Sequence, residues 1–312
     1  MTILYIQTDY EVPLTAVLDV DDDESREEKV FDEYFASLQG RLSREVARSP
    51  NKLPNCYESG TFWVAPPNAA LYLRKKTNPD KLYLPRVFVW MVHTLVDKVP
   101  CPDCDARMNS NGWPTTSRAR RVLDLDCNFY VMSPRYECTK CKKTLSGYDP
   151  QLLKKLPAWL VEEFPAIFSH RSGISRTAMS VMRSCFGSGM GPGPFKEMLM
   201  TQHTRRHATL KYQYLTALKA KVDQQKRKDQ TRFTLTKHFE DGRQQNTGVP
   251  FSSFDDQSGY AGFVPSENYL AMMFIKFVLS FSDVYNQHLS SLPATIVKVD
   301  HTYHVRKHYI WL

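Results

Sequence analysis

The chain has 312 residues, 42% of them apolar, enough for two domains with packed cores. Its longest apolar stretch, Tyr269 to Phe281, is broken by Lys276 and falls short of the ~20 residues that a membrane-spanning helix needs. Met1 to Tyr10 lacks a basic segment followed by an apolar run, so a soluble, intracellular protein that is neither secreted nor membrane-bound is expected.

The net charge of +8 hides an asymmetry. Residues 1–33 hold eleven acidic side chains against Arg26 and Lys29, a balance of −9, so the remainder (+8 less −9) stands at +17. Such a body attracts polyanions, and the acidic leader is placed to shield it in cis. A solvated surface that is merely basic accounts for the charge equally well.

In chain order, Thr2-Ile-Leu-Tyr-Ile6 has the composition of a strand, and an amphipathic helix is expected over Ser25 to Leu42. Residues 43–80, with five prolines, read as loop-rich packing around Phe62-Trp63-Val64. Val87-Phe-Val-Trp-Met-Val92 reads as a strand or buried element. Two strands, within Arg121 to Asp126 and Phe129 to Met132, are joined around Cys127-Asn128. From Pro150 the pattern turns helical: Gln151 to Leu156, Pro157 to Phe164, Ser175 to Phe186, then, after a Gly/Pro-rich turn, a helix to about His203. Residues 205–228 form a separate helical stripe through Leu210, Tyr214, Leu218 and Val222, with Lys211, Lys219, Lys221, Lys226, Arg227 and Lys228 on its other faces. Gly242 to Gly262 is a polar loop. Ser266 then caps a helix to roughly His288, and Glu267 complements its N-terminal dipole. Finally Ile296-Val-Lys-Val-Asp300 reads as a buried strand ending in a carboxylate, with Tyr309 to Leu312 as its hairpin return.

Cys101-x-x-Cys104 and Cys138-x-x-Cys141 are the strongest chemical signal. Each pair lets two thiolates converge from one tight knuckle, and two knuckles complete a tetrahedral Zn2+ site. The strands between them are expected to bring the knuckles together as a zinc ribbon. Four protein ligands leave no open position, so the zinc is expected to be structural. Buried free thiols are the plainer alternative, and Lys140, Lys142 and Lys143 argue against it by marking an exposed knuckle. Cys56, Cys127 and Cys185 are expected to be packing residues, with Cys127 a candidate for contact behind the ligands. Arg118, Arg120, Arg121 and Arg135 suit phosphate contacts from a rigid ribbon, and suit a solvated surface equally.

Pro100-Cys-Pro-Asp-Cys104, Arg121 to Asp126 and Arg135-Tyr-Glu-Cys138-Thr-Lys-Cys141 resemble a zinc-ribbon domain of unknown function found in fungal transposase-like proteins. The resemblance continues through Phe164 to Ile174 and Gly259 to Pro265, and ends at Val299-Asp-His-Thr302, where such proteins begin a ribonuclease-H-like transposase domain. It implies that the four cysteines are metal ligands and that Asp300 is a remnant of the first catalytic carboxylate. Asp300 is followed by no Asp or Glu, whereas two-metal phosphodiester chemistry needs several carboxylates. Mg2+ is therefore expected only if the catalytic domain is completed elsewhere, and the chain is expected to be no complete enzyme.

Phe168 to Arg183 has the form of a helix-turn-helix that would present Arg176 and Arg183 to DNA; an ordinary αα-corner has the same form. His301, His304 and His308 are expected to be surface or hairpin residues. Lys226-Arg227-Lys228 reads as a nuclear-import signal or phosphate contact, or simply as a solvated face. The expected architecture is α+β: an irregular N-terminal region (1–84), a four-cysteine zinc ribbon (85–149), a helical region with a candidate helix-turn-helix (150–292) and the first hairpin of an incomplete ribonuclease-H-like domain (293–312). The expected function is that of a transposon-derived, nuclear, DNA-binding protein. A zinc-ribbon module that binds protein and an RNA-binding factor are the competing classes; oligomeric state is not legible.

Overall fold

The computed structural model describes residues 31–47, 53–229, 235–236, 249–282 and 287. Residues 1–30 of the acidic leader, Asp300, the three C-terminal histidines and the expected C-terminal hairpin lie outside them, while Asp32 and Glu33 open the first helix.

The core is organised by β2 (Arg86–Val89), the middle of the apolar run read from the sequence. Val87, Phe88, Val89, Trp90 and Val92 are all essentially inaccessible, so this strand buries both faces. It pairs in parallel with β6 (Phe129–Met132) and antiparallel with β1 (Trp63–Val64). Beyond β6 lie β5 (Arg120–Leu123), β10 (Gly173–Ser175) and β9 (Ala166–Phe168), giving a mixed six-stranded sheet of order β1-β2-β6-β5-β10-β9. The expected β5–β6 hairpin is present, but in this sheet and not in the one that carries the cysteines.

Side chains alternate across the sheet as the pleat requires. Val87, Val89 and Met132 face α1 (Asp32–Ala47), which buries Phe35, Leu38, Gln39 and Leu42, an i, i+3, i+4, i+7 stripe. Arg118 pins that helix, donating to Asp32 at 2.9 Å and to Gln39 at 3.0 Å. On the same face Leu123 and Ile174 meet α6 (Arg176–Gly187), α7 (Pro192–Asp229) and α8 (Glu267–Leu279) through Met179, Met182, Leu199 and Met273. On the opposite face Phe88, Trp90 and Val131 meet Leu152 of α4 (Pro150–Leu153), Leu160 of α5 (Ala158–Val161) and the cysteine-bearing strands. Full burial of each such Leu or Phe is worth about 1.5–3 kcal/mol.

Three expectations change. Ala166 to Ser175 is a hairpin, β9–β10, so the helix-turn-helix loses its first helix. Ile167 and Ile174 face each other across the two strands, and β10 packs in parallel against β5. The helices expected to His203 and over 205–228 are one 38-residue helix, α7. Its buried residues Phe195, Leu199, His203, His207, Tyr214, Leu218 and Val222 recur mostly every four positions. Four residues turn the helix about 40° past a full circle, so the buried stripe rotates and serves different neighbours along its length: α6 and α8 first, then α3 (Ala69–Lys75). The first helix, expected over Ser25 to Leu42, is described as Asp32–Ala47. Ser266 caps α8 as expected, accepting from the Tyr269 N–H.

The end of β5 is held by a polar knot. Asp124 accepts from Arg86 at 3.1 Å and from the hydroxyl of Ser175 at 2.6 Å, while Ser175 caps α6 through the Ala178 N–H. The Asp124 carbonyl accepts from Nε2 of buried His203 at 2.9 Å. Burial lowers the His203 pKa below its ordinary value. A lowered folded-state value means that the unfolded chain binds more protons below pH ~6.5, so His203 contributes stability above that pH which is lost as pH falls. His203→Gln, which keeps a donor, should cost about 1 kcal/mol at pH 7.5. The gap from wild type should narrow in thermal melts taken between pH ~6.5 and ~5.

Candidate metal centre

The cysteines sit on a second sheet, of order β3-β4-β7-β8. Its strands are β3 (Val99–Pro100), β4 (Arg107–Ser110), β7 (Arg135–Cys138) and β8 (Thr144–Ser146). Inward-pointing Met108 and Tyr136 join the main core. The Trp90 indole N–H donates across to the Gly147 carbonyl at 3.0 Å. A side chain at Gly147 would collide with Ser133 Oγ and the Tyr136 ring, so glycine is required for this close approach. Tyr136 also receives the His93 backbone N–H at 3.3 Å.

Both knuckles have the same backbone. Cys101 N–H donates to the Ala106 carbonyl (2.8 Å) and Asp105 N–H to the Cys101 carbonyl (3.0 Å). In the second, Cys138 N–H donates to Lys143 (2.9 Å) and Lys142 N–H to Cys138 (3.2 Å). The residue after each Cys-x-x-Cys is left-handed, Asp105 at φ 53° and Lys142 at φ 62°, a conformation that favours glycine.

This repeat brings the four sulfurs within 4.8 Å of one another. Cys101 and Cys141 are 3.6 Å apart, and Cys104 and Cys138 are 3.5 Å apart. A tetrahedron with metal–sulfur bonds of ~2.3 Å has edges of ~3.8 Å, so the donor set fits one thiophilic ion with little movement. None of the seven cysteines is in a disulfide. The N–H groups of Cys141 and Lys140 face the Cys138 sulfur and hold its thiol down at about 6. Cys141 goes the other way: the Lys143 N–H lowers it, but the Cys138, Cys101 and Cys104 sulfurs push it up to about 12. One thiolate thus forms readily while the set resists full ionisation, and a dication resolves that conflict. Salt bridges ring the knuckles: Lys143 with Asp103 and Lys155 with Asp105, both 2.9 Å, and Lys142 with Glu137 at 3.5 Å.

The other expected site residues are dispersed. Arg118 binds α1, and Arg120 donates to the Ser169 and His170 carbonyls over the rings of Phe168 and Tyr148. Arg121 lies 3.6 Å from the Phe263 ring centroid, and Arg176 pairs with Glu162 at 2.9 Å. These four serve the fold, and sequence showed only their charge, not their partners. The buried Nε of Arg86 and of Arg120 has no hydrogen-bond partner, and each guanidinium lies over aromatic rings that accept it. Arg135 and Arg183 are exposed. Lys226, Arg227 and Lys228 belong to α7, with side chains outside the described residues. Cys127 lies beside Arg86 and is not among the clustered thiols; burial pushes its thiol up to about 11. The run Arg74-Lys75-Lys76, to which the sequence attached no expectation, is exposed at the end of α3.

A family model described as a domain of unknown function, DUF6729, matches residues 47–244, and the chain belongs to that family. The match spans both cysteine pairs and all of α7. No curated protein and no solved structure matches the chain. No described helix is long and apolar enough to cross a membrane.

Purified chain should carry about one metal ion, and Cys104→Ser should lose it in elemental analysis and expose the Tyr136 core to exchange. Lys142→Gly should raise the melting temperature of the metal-loaded protein, by relief of about 1 kcal/mol of left-handed strain. Its ion pair with Glu137 is exposed and contributes little.

Proposed function

We propose that this chain is a zinc-stabilised, DNA-binding protein of transposon origin, in which the metal organises structure and takes no part in chemistry. The observation that carries it is electrostatic: outside residues 1–33 the chain stands at +17. Among the described residues, Arg74, Lys75, Lys76, Arg135, Arg183, Arg205, Lys211 and Lys219 are exposed cations with no ion pair. Zinc is favoured over softer or redox-active ions by four thiols at tetrahedral spacing. With all four positions filled by protein, substrate and water have nowhere to bind the ion. The resemblance to transposase-like proteins supports DNA as the polyanion and the nucleus as the location.

A second reading, a protein-interaction module, draws on the end of α8, where Ile275, Val278, Leu279 and Phe281 are exposed. RNA binding by stacked aromatics is less favoured: of the tyrosines in α7, Tyr214 is buried and Tyr212 alone is exposed.

Association with duplex DNA should weaken linearly on a log–log plot against salt, since phosphate neutralisation releases counterions. Gel shifts with duplex DNA, single-stranded DNA and RNA at several salt concentrations test this. Absence of any association at low salt overturns the reading, and salt-independent capture of a protein partner would replace it with the second.

A further inference from the structure

The corner where α3 meets the C-terminal half of α7 carries a cluster of exposed positive charge drawn from two helices. Leu73 packs with Tyr214 and Leu218, and Lys221 Nζ donates to the Lys76 carbonyl at 2.8 Å, fixing the end of α3 against α7. Residues 69–76 and 205–222 contain no Asp or Glu. Arg74, Lys75 and Lys76 on one helix end, and Lys211 and Lys219 on the other helix, are exposed. Among the described residues, none of these five side chains has a hydrogen bond or ion pair. The acidic residues nearest in sequence are Asp80, tied to Asn78 at 2.7 Å, and Asp223, one helical turn beyond Lys219.

We propose that this α3–α7 corner is the surface that docks on the phosphate backbone of duplex DNA, an assignment that rests on the DNA-binding reading above. The cysteine-bearing sheet is the weaker candidate. Lys142 and Lys143 are paired with Glu137 and Asp103, and its exposed cations unpaired among the described residues, Arg107, Arg135 and Lys140, share the sheet and its knuckles with the carboxylates Asp103, Asp105 and Glu137. Cations already matched by carboxylates gain little from a phosphate, whereas unpaired ones gain the full interaction. Duplex DNA is favoured over single strands because Tyr212 is the one large aromatic exposed on α7, too few for a stacking platform. It is favoured over duplex RNA because a rigid helix pair fits beside or within the wide B-form major groove, which A-form RNA closes. Charge at a helix C-terminus also complements the α3 dipole, but that accounts for Arg74 and Lys75 and leaves Lys211 and Lys219 unexplained.

The test uses the full chain with its metal and a fluorescent duplex two helical turns long, titrated between about 50 and 200 mM salt. Lys75→Gln/Lys219→Gln removes two exposed charges that the fold does not use, and metal content with thermal melting confirms that it folds. The double variant should bind about tenfold more weakly, with a salt slope lower by about 2. Arg135→Gln/Lys140→Gln, on the cysteine-bearing sheet, should bind as wild type does. The proposal is overturned if the α3–α7 variant keeps wild-type affinity and slope, in which case DNA binding stands and its surface lies elsewhere. It is also overturned if the wild type prefers duplex RNA or single strands to duplex DNA. A wild type that binds no nucleic acid at all removes the reading beneath it.

Discussion

Burial of both faces of the Val87–Val92 run is the constraint on which the architecture depends. A strand with no solvated face needs a cover on each side, and neither cover can be supplied by local sequence. On one side the cover is helical, from α1 and from the α6–α7–α8 layer. On the other it combines two short helices with the cysteine-bearing sheet. The four-thiol cluster is therefore no appendage. Met108 and Tyr136 stand in the same core as Phe88 and Trp90, and the indole of Trp90 closes the gap through the Gly147 carbonyl.

This placement changes what a metal held by the four thiols would do. A ribbon too small for its own core would fold only when metal is bound. Here the strands have a large apolar partner, and the thiols instead set the conformation of two knuckles at its rim. Their identical hydrogen bonds and left-handed residues make a paired cradle from unrelated sequences, Pro-Asp in one and Thr-Lys in the other. Backbone geometry, not side-chain identity, is what repeats.

The fold also divides the cations into two classes. Arg86, Arg118, Arg120, Arg121 and Arg176 are drawn inward to carboxylates, carbonyls and ring faces, as suits a planar fork that can donate sideways and stack. Lysines stay largely outside, at the knuckles and along α3 and α7. Arginine between the cysteine pairs thus signalled structure at Arg118, Arg120 and Arg121, while Arg135 stays exposed.

Sequence alone determined what short-range chemistry determines. The two Cys-x-x-Cys pairs announced a four-thiol cluster, because ligand spacing within a knuckle is a local matter. Val87 to Val92 announced a strand or buried element, and Ser266 announced a helix start, because burial and capping are written within a few residues. Tertiary structure decided which sheet each strand joins. Val122 and Val131 looked like ribbon strands because they lie between the cysteines, but their apolar alternation is satisfied by β2 and β10, which lie outside that interval. It also decided that 166–175 is a hairpin and that α7 is continuous. The four-residue spacing that turns α7's buried face makes sense only once α8 and α3 are known to lie at different angles around it. Partner choice is a long-range property, and the fates of Arg118, Arg120 and Arg121 were set by Asp32, Ser169 and Phe263, residues dozens of positions away.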